Sequence, residues 1–152
     1  MSELEVRIVT LEPMRVVSVH GFGPSPERVA WDKLAAWARP RGLLDGQHRI
    51  FGFNNPNPSP GSPNYGYEFW LAVGPDVEPE GDARVREFAG GRYAVTRCRG
   101  AENITPTWQR LVAWLAGSAY GHAAHQWLEE HIGGADVPPE QLTLDLYAPI
   151  AE

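Results

Sequence analysis

Trp31, Leu34, Ala36 and Trp37 recur as Trp108, Leu111, Ala113 and Trp114, an offset of 77 in a chain of 152 residues. The same step carries Glu68, Phe69 and Trp70 onto Asp145, Leu146 and Tyr147, Val73 onto Ile150, His48 onto His125 and Gly23 onto Gly100. A chain with six tryptophans offers coincidences easily. Agreement of a helix pattern and a strand pattern at one offset nevertheless favours two copies of one supersecondary unit, about 14–75 and 91–152. Such copies are expected to pack about an approximate two-fold axis. A cleft on that axis would receive a carboxylate and a nearby aromatic from each half, so the repeat predicts a site as well as a fold.

The local signals agree with that frame. Met14 to Phe22 reads as a strand, Ser25 and Pro26 as an N-cap and first helical residue, and Pro26 to Arg39 as a helix with Trp31, Leu34 and Trp37 on its sheet-facing stripe. Pro40 and Gly42 end it. His48 to Phe53 is a second strand, followed by a proline-rich loop to Pro63 that suits a lid or binding loop. Alternation along Tyr65 to Val73 puts Tyr67, Phe69 and Leu71 against the helix and leaves Glu68 and Trp70 on the opposite face. Ala83 to Phe88 and Arg92 to Arg99 predict a hairpin around Gly90 and Gly91. Thr105 and Pro106 open the second helix, the repeat places a strand at His125 to His131, and Leu142 to Ile150 forms the last strand, with Asp145 and Tyr147 on one face.

Charge narrows the partners. Nineteen acidic against thirteen basic side chains give a net charge of −6, which repels phosphate backbones and argues against direct nucleic-acid contact. The same field favours cationic ligands. A lone cysteine, Cys98, forms no internal disulfide, no stretch has the order of a signal peptide, and no apolar run approaches the roughly 20 residues that span a bilayer. The expectation is a single cytoplasmic domain over 1–152, monomeric or weakly dimeric, with no membrane, cofactor or metal requirement. His122, His125 and Glu129 share a face only if their segment is helical, and without an HExxH pattern a solvated surface is the stronger reading. Cys98 between Arg97 and Arg99 could have a lowered pKa, but packing is the commoner role for a strand cysteine.

The stretch from Tyr65 through Glu68 and Trp70 to Val73, the run Gly90, Gly91, Arg92, Tyr93, Ala94, Val95, the helix with Trp108, and the closing run from Leu144 through Asp145 and Tyr147 to Ile150 together resemble the GyrI-like family, over nearly the whole of Val6 to Ile150. These are the effector-binding domains also attached to AraC-type and multidrug-responsive activators. The resemblance implies an α+β fold: paired strand-helix-strand-strand modules related by a pseudo-two-fold, an antiparallel sheet curved around a central ligand cleft, and helices on the outer side. It also implies binding of lipophilic, often cationic molecules by aromatics and buried glutamates. Asp145 stands where the family more often has glutamate, and Glu129 or Glu130 lies near another pocket glutamate. No helix-turn-helix precedes the domain in this sequence, so a one-component DNA-binding regulator is not expected.

The candidate ligand-binding set is Phe53, Glu68, Trp70, Trp108, Trp127, Glu129, Asp145 and Tyr147. A carboxylate in a low-dielectric cleft attracts a cation strongly if the ligand offsets its own desolvation, and ring faces add cation–π contacts of about 0.5–2 kcal/mol. The bland alternative makes Glu68 a strand carboxylate paired with Arg97 or Arg99 and Trp70 a core residue. The leading expectation is sensing or sequestration of a hydrophobic or cationic aromatic molecule. The alternative is hydrolysis of cyclopropane-bearing alkylating compounds, as some stand-alone members perform, with Glu68 or Glu129 as base. A third class is a protein-binding inhibitor of the gyrase-inhibitory type, acting on a protein partner through an apolar or acidic surface.

Overall fold

The computed structural model describes residues 4–151 except 82, 135 and 136; the ends of the expected domain at 1–3 and 152 lie outside the described residues. The fold is α+β, and the chain forms two compact units, one spanning Met14–Phe88 and the other residues 4–13 with 89–151. In the first, β2 (Met14–Gly23), α1 (Pro26–Ala38), β3 (Ile50–Asn54), β4 (Tyr65–Val73) and β5 (Arg84–Phe88) follow in order; β1 (Arg7–Leu11), which precedes them in sequence, belongs to the second. In the second, β6 (Gly91–Arg99), α2 (Ile104–Ala116), β7 (Leu128–Ile132) and β8 (Thr143–Pro149) repeat the series. Each unit is a four-stranded antiparallel sheet, ordered β5-β2-β4-β3 in one and β1-β6-β8-β7 in the other. The strand order is therefore the same in both copies, as the repeat predicts.

The expected hairpin between the strands flanking Gly90 is absent. β5 pairs with β2, and β6 pairs with β1 and β8. Each edge strand thus precedes one module in sequence but pairs with the first strand of the other, and β1 and β5 are themselves separated by the same 77 residues. Gly90 has φ +82, and a Cβ there would run into the Leu11 carbonyl where β1 ends. The glycines suggest a tight turn, yet they admit the crossing edge strand instead.

In the first unit α1 covers one sheet face, with Trp31 edge-on to Phe69 at 5.7 Å, and Leu34 fully buried. The helix lies so close that a Cβ at Gly21 would meet the backbone of Pro26 and Ala30. Ser25 holds the N-cap position without a side-chain cap bond, and Gly42 at φ +69 ends the Arg39–Arg41 turn that follows the helix. In the second unit Leu111 and Leu115 of α2 pack on Ala94, Cys98, Leu144, Leu146 and Ala148. This helix starts at Ile104 with Asn103 as N-cap, two residues before the expected opening; Pro106 still falls in the first turn, where no N–H partner is lost. Burial pushes the Cys98 thiol pKa up, so the cysteine is a packing residue. Among the described residues no helix is long and apolar enough to cross a membrane.

His131 on β7 is half-buried with its Nδ1 shielded from solvent, and this desolvation pushes its pKa down from 6.5 to about 4. The unfolded chain therefore takes up this proton at higher pH than the folded one. Stability is full above about pH 6.5, declines as pH falls toward about 4 and then levels off. His131→Phe is expected to flatten this part of the stability–pH curve, as read by urea melts across the window. An unchanged slope in the variant would show that other groups set it.

Candidate functional site

Strand alternation decides which side chains can meet. In the first unit β2, β3 and β4 pair Ser18 with Trp70, His20 with Glu68, Phe51 with Trp70 and Phe53 with Glu68, so these six share the face away from α1. Glu68 is only 4% exposed. Its Oε2 accepts hydrogen bonds from Ser18 Oγ and Trp70 Nε1, both at 2.7 Å, and its Oε1 accepts one from Asn55 Nδ2 at 3.2 Å. The nearest described cation is Arg86, whose Nε lies 3.5 Å from Oε2 on a side chain 58% exposed. A carboxylate offers about four acceptor positions. Neutral donors hold most of them, leaving Oε1 the less saturated oxygen.

Around this carboxylate lies a cavity of about 350 Å³ lined by Ser18, His20, Asn55, Pro56, Glu68 and Arg86, with Arg84 at its edge. Phe53 stands edge-on to Trp70 at 5.0 Å and Phe88 tilts against the same indole at 5.4 Å, so a packed aromatic floor fixes the rotamer of Trp70 and hence its bond to Glu68. The proline-rich loop supplies Asn55 and Pro56. Its start is tied down by the bonds Asn55 N to Gly66 O and Gly66 N to Pro56 O.

The equivalent position in the second unit is built differently. Asp145, 3% exposed, accepts two bonds from Arg97, Nε to Oδ1 at 2.8 Å and Nη2 to Oδ2 at 3.1 Å, and another from Arg7 Nη2 at 2.8 Å. Burial acts to raise the Asp145 pKa, but the bonds from Arg97 and Arg7 outweigh it and hold the carboxyl below its usual range. Arg97 occupies the position of His20 in the repeat and is one of the two arginines expected to partner Glu68. It serves the other carboxylate instead. Tyr147 shares this face, donating to Glu130 at 2.7 Å and standing edge-on to Tyr93 at 5.3 Å.

β7 separates its two glutamates. Glu130 pairs with Asp145 and lies on the face of Asp145 and Tyr147, whereas Glu129 pairs with Leu146 on the α2 side, where Trp108 Nε1 donates to it at 2.9 Å. Trp127 accompanies this group at 5.7 Å from Trp108. The eight expected site residues therefore fall into three clusters: Phe53 with Glu68 and Trp70, Asp145 with Tyr147, and Trp108 with Trp127 and Glu129. Ser18, His20, Asn55, Arg86 and Tyr93 were missed, and of the two glutamates left open, Glu129 and Glu130, it is Glu130 that shares the face of Asp145. Ser18 and His20 have the right parity on β2, but only the register of β2 on β4 places them beside Trp70 and Glu68.

The model of the GyrI-like small molecule binding domain matches residues 4–151. The chain belongs to the GyrI-like family. No curated protein matches it. Among solved structures it is similar to EcmrR in a complex with DNA, at TM-score 0.73 and 13% identity, covering 97% of this chain and 57% of that one. The chain thus spans little more than half the length of that protein. A hydrolase from Listeria innocua matches at TM-score 0.72 and 11% identity over 99% of this chain and 94% of its own. SAV2435, solved with bound tetraphenylphosphonium, matches at TM-score 0.57 and 13% identity, covering 97% and 94%. At such identities these similarities establish the shared fold alone, and the small-molecule-binding character rests on the GyrI-like family model.

Proposed function

We propose that this GyrI-like chain binds small hydrophobic or cationic aromatic molecules through the Glu68 cavity of residues 14–88, for sensing or sequestration, in the cytoplasm and as a monomer or weak dimer. The observation that carries the reading is the buried Glu68 carboxylate held mainly by neutral donors, Ser18, Trp70 and Asn55. Its charge is met by one exposed cation, Arg86, at 3.5 Å, whereas that of Asp145 is committed to Arg97 and Arg7 through hydrogen-bonded pairs. A ligand cation would approach Oε1 beside Asn55 and displace the exposed Arg86, with the buried rings of Trp70 and Phe53 behind the carboxylate. The relative solved with tetraphenylphosphonium supports ligands of this kind for the fold. Asp145, Tyr147, Trp108, Trp127 and Glu129 then act mainly as supports of the second unit.

A hydrolytic reading draws support from the structural relative described as a hydrolase and from Glu68 itself, a buried carboxylate beside a cavity that admits water. Tryptophan fluorescence titration with aromatic cations and alkylating natural products, followed by mass spectrometry of the recovered compounds, separates the two. Saturable quenching with unchanged ligand is the expected result. Catalytic formation of a water adduct would transfer the site to the hydrolase reading, and no quenching by any compound would remove both.

A further inference from the structure

β1 covers β6 only as far as the pair Arg7 and Val95. Beyond that point the β6 edge opens into a second cavity, about 610 Å³, within the unit of residues 4–13 and 89–151. Arg97 and Arg99 project from β6, Arg7 from β1 and Arg110 from α2, and all four line it. Thr96 and Glu5 also line it, and Thr96 Oγ1 donates to the Glu5 carbonyl at 2.8 Å. We infer that this arginine-lined cavity is a binding site for a small multivalent oxyanion, a phosphate ester or a polycarboxylate.

The charge balance carries the inference. In a chain of net charge −6, four of the thirteen basic side chains converge here. Glu5 in the lining, Asp145 behind it and, acting on Arg97 at longer range, Glu130 are carboxylates set against them. Asp145 takes Nε and Nη2 of Arg97 and Nη2 of Arg7, which fixes those guanidinium planes while leaving Nη1 of Arg97 for another acceptor. The Arg99 guanidinium has no hydrogen-bond or ion-pair partner among the described residues. Planar guanidinium forks match the oxygen spacing of phosphate and carboxylate better than ammonium groups do, and a preset fork loses less entropy on binding. The long-range field of the acidic chain opposes approach, so the site selects ligands whose several charges engage several arginines at once.

Calorimetric titration with inorganic pyrophosphate at fixed ionic strength tests this, with citrate and monovalent acetate as the other arms. Pyrophosphate or citrate is expected to bind one per chain and to raise the melting temperature, with acetate at least tenfold weaker. Pyrophosphate alone identifies phosphate esters as the ligand class, and citrate alone identifies polycarboxylates. The double variant Arg99→Gln with Arg110→Gln leaves both Asp145 partners in place and is expected to weaken binding at least tenfold, and Arg99→Gln alone weakens it in part at an unchanged ligand-free melting temperature. Arg86→Gln in the other unit should have no effect. No saturable binding of either multivalent anion, or equal affinity in the double variant, would overturn the assignment.

Discussion

Gly21→Ala is expected to destabilise the protein by about 1–3 kcal/mol, while Cys98→Ala, at the equivalent position of the repeat, costs less than about 1.5 kcal/mol. The cause is a difference in how closely each helix sits on its sheet. At Gly21 an added methyl meets the backbone of Pro26 and Ala30, atoms that cannot rotate away, so α1 must lift off β2. That movement would open contacts of Ala30, Trp31 and Leu34, all buried. At Cys98 a side chain already fits beneath α2, packed with Leu111 and Leu115, and its loss leaves a small void with little surface. Urea melts of the two variants measure the difference. Equal losses would mean that the two helices are seated alike.

The repeat and the faces of its strands were legible in the sequence because both rest on short periodicities. Trp31 and Trp108 mark the helices, and the parity of Glu68, Trp70, Asp145 and Tyr147 follows from backbone pleat alone. The exchanged edge strands were not legible. β5 and β6 are neighbours in sequence with glycines between them, which is the pattern of a hairpin, and only the long-range pairing of β1 with β6 excludes it. The partners of the two carboxylates were hidden for the same reason. Arg97 lies across from Asp145, and Ser18, His20 and Asn55 gather at Glu68, through registers and a loop path that no local pattern encodes.

Carboxamide replacements at the two equivalent acids are expected to have opposite consequences. Asp145→Asn strips charge from a group bonded to Arg97 and Arg7 and is expected to cost about 1–3 kcal/mol of stability, reduced by the solvent that reaches Arg97, which is 42% exposed. Glu68→Gln keeps an oxygen that can accept from Ser18 and Trp70, and rotation of the Asn55 amide restores the remaining bond. Stability should change little. Ligand affinity should change greatly, because a unit charge about 4 Å from the carboxylate gains about 4 kcal/mol at an effective dielectric of 20. Desolvation of both groups cancels part of this, and a net 1.4–2.8 kcal/mol corresponds to roughly 10–100-fold in affinity.

The direct measurement is a calorimetric or fluorescence titration of the unmodified chain, Glu68→Gln and Asp145→Asn with an aromatic cation, benzyltrimethylammonium, and with its neutral carbon isostere neopentylbenzene. The account predicts that Glu68→Gln loses tenfold or more for the cation and little for the isostere, while Asp145→Asn preserves the preference between them. Equal losses for both ligands in Glu68→Gln, or loss of the cation preference in Asp145→Asn alone, would contradict it.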